Sequence, residues 1–183
     1  MLGSHVAVNE NKFNDFKSFG MDPELETEEA ISRSSVVIDC TPSGIGHLNK
    51  EHYYKKFSKD VNGFMAQGSE DGFGMKYARG INDNILKKKS NEQFVQIVSC
   101  NTHNISCITK TITIDGFGPE NLIDGRYVCV RRANDTSQAG SFIASPAVSN
   151  HTDEMFGSHH AKDASGLFAT LGYDLNLFSS AMK

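Results

Sequence analysis

The sequence predicts an α/β protein built on a mostly parallel sheet. Short β-branched or aromatic runs, "VVIDC" (36–40) and "FVQIVS" (94–99) among them, recur at wide intervals. The segments between them have helical spacing and the length a crossover between parallel strands needs. Gly- and Pro-rich breaks mark the junctions, which is the pattern of strands alternating with helices. At 183 residues the chain can bury a self-sufficient core, as one domain or one domain and a piece of another, with no disulfide staple.

Taken in order, "TEEAISRSS" (27–35) reads as a short helix with Thr27 as its N-cap and acidic residues in the first turn. "VVIDC" follows as a buried strand, "TPSGIG" (41–46) breaks the chain, and "NKEHYYKKFS" (49–58) resumes at helical spacing. "GFMAQGSEDGFG" (63–74) predicts a strand closing in a Gly-rich turn, "YARGINDNILKKK" (77–89) a helix, and "FVQIVS" a third strand. "NTHNISCITKTI" (101–112) predicts a helix despite its β-branched content, and "RYVCVRRA" (126–133) a long strand. "SFIASPAVS" (141–149) fits a strand or an extended loop, "SHHAKDASGLFATLG" (158–172) a helix, and "YDLNLFSSAMK" (173–183) a strand alternating Tyr173, Leu175 and Leu177 with polar residues. The chain stops inside that last pattern and starts without a first strand, so it reads as part of a longer protein.

Composition narrows the function classes. A formal charge of -4 and a pI near 5.9 argue against nucleic-acid and anionic-membrane partners, which favour clustered basic faces. The run "LKKKS" (86–90) reads as a solvated turn, and no stretch approaches the roughly 20 apolar residues of a membrane span. Four cysteines without a C-x-x-C pair, and no signal-like N-terminal segment, predict reduced thiols and a cytoplasmic protein.

The stretch "IVSCNTHNIS" (97–106) carries the chemistry. A strand running into a helix N-terminus puts the junction residue, Cys100, on the carboxyl edge of the sheet, where ligands bind in open α/β folds. The helix dipole and the unpaired amides there favour a thiolate and so a nucleophile. Cys40, Cys107 and Cys129 lack that setting and read as small apolar core residues. His159 and His160 in "SHHAKD" can serve a thiolate as acid/base partners, and since adjacent helical residues diverge by about 100°, at most one faces it. His160 is the choice, because a side chain one step further into a helix leans back over its N-terminal turn. Arg131 and Arg132, successive residues of a strand, point to opposite faces, so one can aim at a phosphate or carboxylate. A metal site would draw on His151, Asp153, His159 and Asp163, but their spacing matches no ligand pattern and none is predicted.

In this order and near this spacing, "VVIDCTPSGIG", "AQGSED", "VSCNT", "RRA" followed by Asp135, and "SHHAKD" resemble the archaeal type of glyceraldehyde-3-phosphate dehydrogenase over nearly the whole chain. The resemblance implies part of a dinucleotide-binding, Rossmann-like parallel sheet over residues 1–99 and the start of an α+β catalytic domain over 100–183. It implies that Cys100 attacks the aldehyde, that the hemithioacetal loses hydride to NAD or NADP, and that inorganic phosphate cleaves the resulting thioester. Ser99 and Asn101 match substrate-contacting neighbours, and His159 and His160 a histidine pair that supplies the acid/base and contacts substrate. Arg132, Pro42, Gly44 and Gly68 match positions at the cofactor. His103 and Ser69 depart from the family's pattern, where a threonine and a glycine are usual.

No G-x-G-x-x-G loop opens the chain, so the usual diphosphate cradle is missing. Cofactor binding by this chain is therefore expected to be weak or absent, and open strand edges predict a homo-oligomer. Two further readings stay open: a non-catalytic remnant domain that binds a nucleotide or a protein partner, and a semialdehyde dehydrogenase using the same thioester logic.

Overall fold

The computed structural model describes residues 3–68, 70–87, 93–130, 146–148 and 153–182. Its elements are β1 (Ala7–Val8), α1 (Phe13–Ser18), β2 (Leu25–Glu26), α2 (Thr27–Ser32), β3 (Val36–Asp39), α3 (Ile45–His52), β4 (Gly63–Gln67), β5 (Met75–Tyr77), β6 (Phe94–Ile97), α4 (Cys100–Thr109), β7 (Gly125–Val130), α5 (His159–Ala169) and β8 (Leu177–Met182). A four-stranded sheet has the order β3-β4-β6-β5, with β3 and β4 parallel from Val36 opposite Gly63 to Asp39 opposite Ala66. The fold is mixed α/β. The chain divides into two compact units, Met1–Met75 with Asn91–Gln96 and Lys76–Ser90 with Ile97–Lys183.

In the first unit, Ile31, Tyr54, Val61, Phe64, Ala66 and Phe73 form the core. Tyr54 and Phe94 stack on Phe64 at 5.0 and 5.1 Å between centroids, and offset aromatic pairs of this kind add to simple burial. Asp39 ends β3 as a buried carboxylate. It accepts hydrogen bonds from the Thr41 amide at 2.9 Å, the Thr41 hydroxyl, Asn49 Nδ2 at 2.9 Å and the Tyr54 hydroxyl at 2.7 Å. Burial alone would raise its pKa, but these donors outweigh it and hold the carboxyl below its ordinary value. Tyr54 moves the other way, pushed far up by burial and then by Asp39.

In the second unit, α4, α5, β7 and β8 enclose a core of Val98, Ile105, Ala161, Ala164, Leu167, Phe168 and Leu177, among others. β7 and β8 are parallel, from Gly125 opposite Leu177 to Val130 opposite Met182, with α5 in the connection. β8 buries alternate residues, Leu177, Ser179 and Ala181, as a half-covered strand does. The buried face of α4 carries Thr102, Ile105, Ser106 and Thr109. Ser106 and Thr109 return their hydroxyls to the carbonyls of Thr102 and Ile105 at 2.8 Å, so these buried hydroxyls are satisfied within the helix. Lys76 and Asp163 form an ion pair that ties β5 to α5. At its other end α5 finishes at Ala169, and the turn after it closes at Gly172, which has φ +85° and is followed by a bond from the Tyr173 amide to the Phe168 carbonyl at 3.1 Å.

The structure corrects several sequence expectations. Over 77–89 no α-helix forms among the described residues, only a 3₁₀ turn at Asp83–Leu86. Asn82 Oδ1 takes the Ala78 amide at 3.0 Å and Asp83 Oδ1 the Gly80 amide at 3.0 Å, so short polar side chains supply the turn with bonds a helix would need from its own backbone. The strand β5 before it was not foreseen. Glu26, not Thr27, holds the N-cap position of α2, and α3 starts at Ile45 and ends at His52, with Tyr54–Phe57 a 3₁₀ turn. β3 is covered on one face only: Val36 and Ile38 are exposed, and Cys40 continues that exposed parity. Cys107 is exposed, because α4 buries the face of Ser106 and Thr109 instead, so neither it nor Cys40 is a core residue, whereas Cys129 is half-buried and packs against the core of the second unit. Of "SFIASPAVS", only 146–148 are described, with Val148 bridging Met182 antiparallel.

The Asp39 network sets a pH dependence. A carboxyl held below its unfolded value stabilises the fold fully above about pH 5, and that contribution fades as the pH falls through the lowered value. Urea unfolding followed from pH 7 down to pH 3 is expected to show this loss. Asp39→Asn should be roughly 1–3 kcal/mol less stable at pH 7 and show a flatter acid dependence, whereas an unchanged profile would remove Asp39 as the cause.

Candidate active site

Cys100 opens α4, three residues past the last residue of β6, and is exposed. Ser99 is the N-cap, in extended conformation, and its Oγ accepts the Thr102 amide at 3.4 Å. Ser at this position suits a helix start because its short hydroxyl reaches back to an otherwise unpaired amide. His160 is 5% exposed and lies in the first turn of α5. Its Nδ1 is 3.2 Å from Ser99 Oγ and its Nε2 is 3.2 Å from Asn101 Nδ2. The two residues that flank Cys100 therefore both touch His160.

With the Asn101 amide nitrogen towards the ring, the donors and acceptors of this clasp fit together. The Asn101 amide nitrogen donates, so Nε2 accepts and the neutral ring carries its proton on Nδ1. Nδ1–H then donates to Ser99 Oγ, which also accepts the Thr102 amide and donates its own hydrogen to Thr102 Oγ1 at 3.0 Å. A rotation of the Asn101 amide would offer its oxygen instead, so the same two residues can hold the ring neutral or protonated. His159 is exposed beside it, with ring centroids 3.9 Å apart and planes at 52°. His103 Nε2 lies 3.0 Å from the Arg79 carbonyl. An open cavity of about 150 Å³ lies along Asn101, Ile105, Tyr127 and Cys129.

Small residues bring these groups together. Thr102 and Ser106 on α4, and Ala161 and Ala164 on α5, are fully buried where the two helices pack. Short side chains allow close helix approach, which carries the first turn of α5 up to the start of α4.

In the first unit, Pro42 and Gly44 lie in the turn before α3, where the Pro42 carbonyl accepts the Ile45 amide at 3.0 Å. Gly44 is the N-cap of α3 with φ +86°, a conformation that favours glycine, and Gly68, with φ +54°, follows β4. Glu70, which sequence reasoning missed, ties the two loops together. It is 2% exposed and accepts the Gly44 amide at 2.5 Å and the His47 amide at 3.1 Å. A Cβ at Gly46 would stand 2.9 Å from its Oε2, so the turn closes tightly on the carboxylate. Gln96, also fully buried, donates to the Gly68 carbonyl at 3.4 Å and accepts the Gly72 amide at 3.3 Å.

These residues do not fit the diphosphate of a dinucleotide at this turn, because the α3 amides that would hold it already carry an internal carboxylate. The signal for Glu70 was an acidic residue inside a Gly-rich turn, but its partners lie more than 20 positions away. Arg131, Arg132, Ser69 and His151 lie outside the described residues. Asp163 is paired with Lys76, and Asp153 accepts the Met155 and Phe156 amides, so each of these two carboxylates has a structural partner. No group of metal-ligating side chains occurs, and no helix is long and apolar enough to cross a membrane, among the described residues.

No family model matches the chain. Individual relatives do. The chain is 30% identical over 180 residues to a glyceraldehyde-3-phosphate dehydrogenase of Methanobacterium bryantii, covering 97% of this chain and 48% of the relative. It is 31% identical over 169 residues to that of Methanobacterium formicicum, covering 92% and 46%, and 27% identical over 161 residues to that of Pyrobaculum islandicum, covering 88% and 44%. The chain is thus similar along most of its length to archaeal glyceraldehyde-3-phosphate dehydrogenases, and it spans a little under half the length of these relatives.

Proposed function

We propose that Cys100 is the nucleophile of an aldehyde-oxidising centre and His160 its acid/base partner. The observation that carries this is a buried histidine whose two ring nitrogens meet Ser99 and Asn101, the residues on either side of an exposed cysteine at a helix start. In the proposed step, Cys100 Sγ bonds to the aldehyde carbon and the C=O π pair moves to oxygen. The proton given up by the thiol returns to that oxygen through His160. The product is a hemithioacetal. Ser99 and Asn101 orient His160 and contact the substrate, and exposed His159 meets the substrate's phosphate.

For a protein of the relatives' length, the proposed activity is phosphorylating oxidation of glyceraldehyde 3-phosphate in glycolysis or gluconeogenesis. It would run in the cytoplasm with NAD or NADP as hydride acceptor and inorganic phosphate cleaving the thioester. The relatives' name favours this over a semialdehyde substrate. Within that activity, residues up to 99 would belong to the dinucleotide domain, with Pro42, Gly44, Gly68 and Arg132 at the cofactor, and residues from 100 to the catalytic domain. The occupied α3 amides carry the reading for this chain only as far as the hemithioacetal.

Two measurements test the proposal. Mass-spectrometric mapping of iodoacetamide labelling at neutral pH is expected to find Cys100 modified fastest of the four cysteines. His160→Ala should slow it by roughly 10²-fold, and His159→Ala by far less. Equal labelling of Cys40, or an effect confined to His159→Ala, would contradict it. Separately, exposed Val36 and Ile38 on β3, and Val128 and Val130 on β7, favour self-association, while the occupied turn disfavours cofactor. Light scattering and calorimetric titration should find an oligomer that binds NAD and NADP weakly. A monomer with micromolar affinity would overturn both expectations.

A further inference from the structure

Ser179 is fully buried on the face of β8 that otherwise presents Leu177 and Ala181 to the core. An alanine would fill that face without a polar group, and a buried hydroxyl is costly unless it is bonded. Ser179 bonds across to residues 156–161, around the start of α5. Its Oγ accepts the Ala161 amide at 3.1 Å and shares a hydrogen with Ser158 Oγ at 2.7 Å. Its own amide donates to the Phe156 carbonyl at 3.0 Å. Gly157, at φ +72°, passes so close that a Cβ there would stand 2.5 Å from the Ser179 carbonyl oxygen.

These contacts fall on either side of one residue. The His160 amide donates to Ser158 Oγ at 3.3 Å, and the next amide, of Ala161, donates to Ser179. Both are first-turn amides that a helix leaves without partners of its own. The Cα that carries the His160 ring is thus held between two hydroxyls that are bonded to each other. We propose that Ser179 is a positioning residue for His160, fixing the first turn of α5 to β8 so that the ring meets Ser99 and Asn101. This rests on the reading of His160 as the partner of Cys100. The Ser179 hydroxyl acts on the backbone of the turn that carries the ring.

The test compares Cys100 labelling by iodoacetamide in the unaltered chain, His160→Ala, Ser179→Ala and Ile81→Ala, the last a cavity in the same core that removes no hydrogen bond from the first turn of α5. Side-chain ¹⁵N spectra of His160 accompany it. Ser179→Ala is expected to lose roughly 5- to 10-fold in rate, less than His160→Ala, because the imidazole remains but is misplaced. Its ring nitrogen signals should converge towards those of a ring exchanging between tautomers. Ile81→Ala, compared at equal folded fraction, should move neither readout. A Ser179→Ala chain that keeps the rate and the spectrum, or an Ile81→Ala chain that loses both equally, overturns the proposal. If His160→Ala itself leaves Cys100 unchanged, the reading beneath the proposal fails with it. Should Ser179→Ala not fold, hydrogen exchange in the unaltered chain decides: the Ala161 amide should be protected like the helix interior, and exchange at the rate of a free first-turn amide overturns the claim.

Discussion

The second unit is organised by the close packing of α4 on α5. Both helices bury small side chains, Thr102 and Ser106 on α4 and Ala161 and Ala164 on α5, and short side chains allow close helix approach. The hydroxyls on α4 keep this face from becoming a buried polar liability, since Ser106 and Thr109 bond to their own helix and Thr109 also meets the Tyr127 hydroxyl at 2.6 Å. Everything at the site follows from that spacing: the N-cap Ser99, the exposed Cys100 and the buried ring of His160 share one small volume. The serine clamp at the start of α5 sets the last degree of freedom.

The first unit uses carboxylates for a comparable purpose. Asp39 gathers Thr41, Asn49 and Tyr54 at the end of β3, and Glu70 gathers Gly44 and His47 at the start of α3. Both acids end strands or turns that a dinucleotide-binding sheet would present to its ligand. Glu70 gives the α3 amides a negative partner from within the chain, a charge that a phosphate at this turn would have to displace. That contrast explains why the two units support different claims. The second places an exposed cysteine between two residues that meet a buried histidine, whereas the first holds a loop already closed on itself.

Much of this was legible in the sequence where the cause is local. A β-branched run followed by Ser, Cys and Asn reads as a strand leading to a capped helix because the cap needs only its neighbours, and α4 begins at Cys100. The alternation in "YDLNLFSSAMK" is a property of a strand's own period, and β8 keeps it from Leu177 on, although 173–176 are not strand. What stayed hidden depends on side-chain bonds that compete with the backbone, or on distant partners. The 77–89 segment has helical spacing, but Asn82 and Asp83 bond their side chains to nearby amides instead. Cys40 and Cys129 sit at strand positions whose burial depends on what covers the second face. Glu70 and Ser179 act on turns about 20 residues or more away, so nothing in their own neighbourhood names their partners.

The central claim is that this chain forms a covalent adduct with a phosphorylated aldehyde at Cys100, with His160 carrying the proton. Carbon NMR of glyceraldehyde 3-phosphate labelled at its aldehyde carbon tests it most directly, because addition converts that carbon from trigonal to tetrahedral and bonds it to sulfur. The account predicts a new hemithioacetal resonance with the unaltered chain, absent with Cys100→Ser and forming more slowly with His160→Ala. An unchanged spectrum, or the same new resonance with Cys100→Ser, would contradict it.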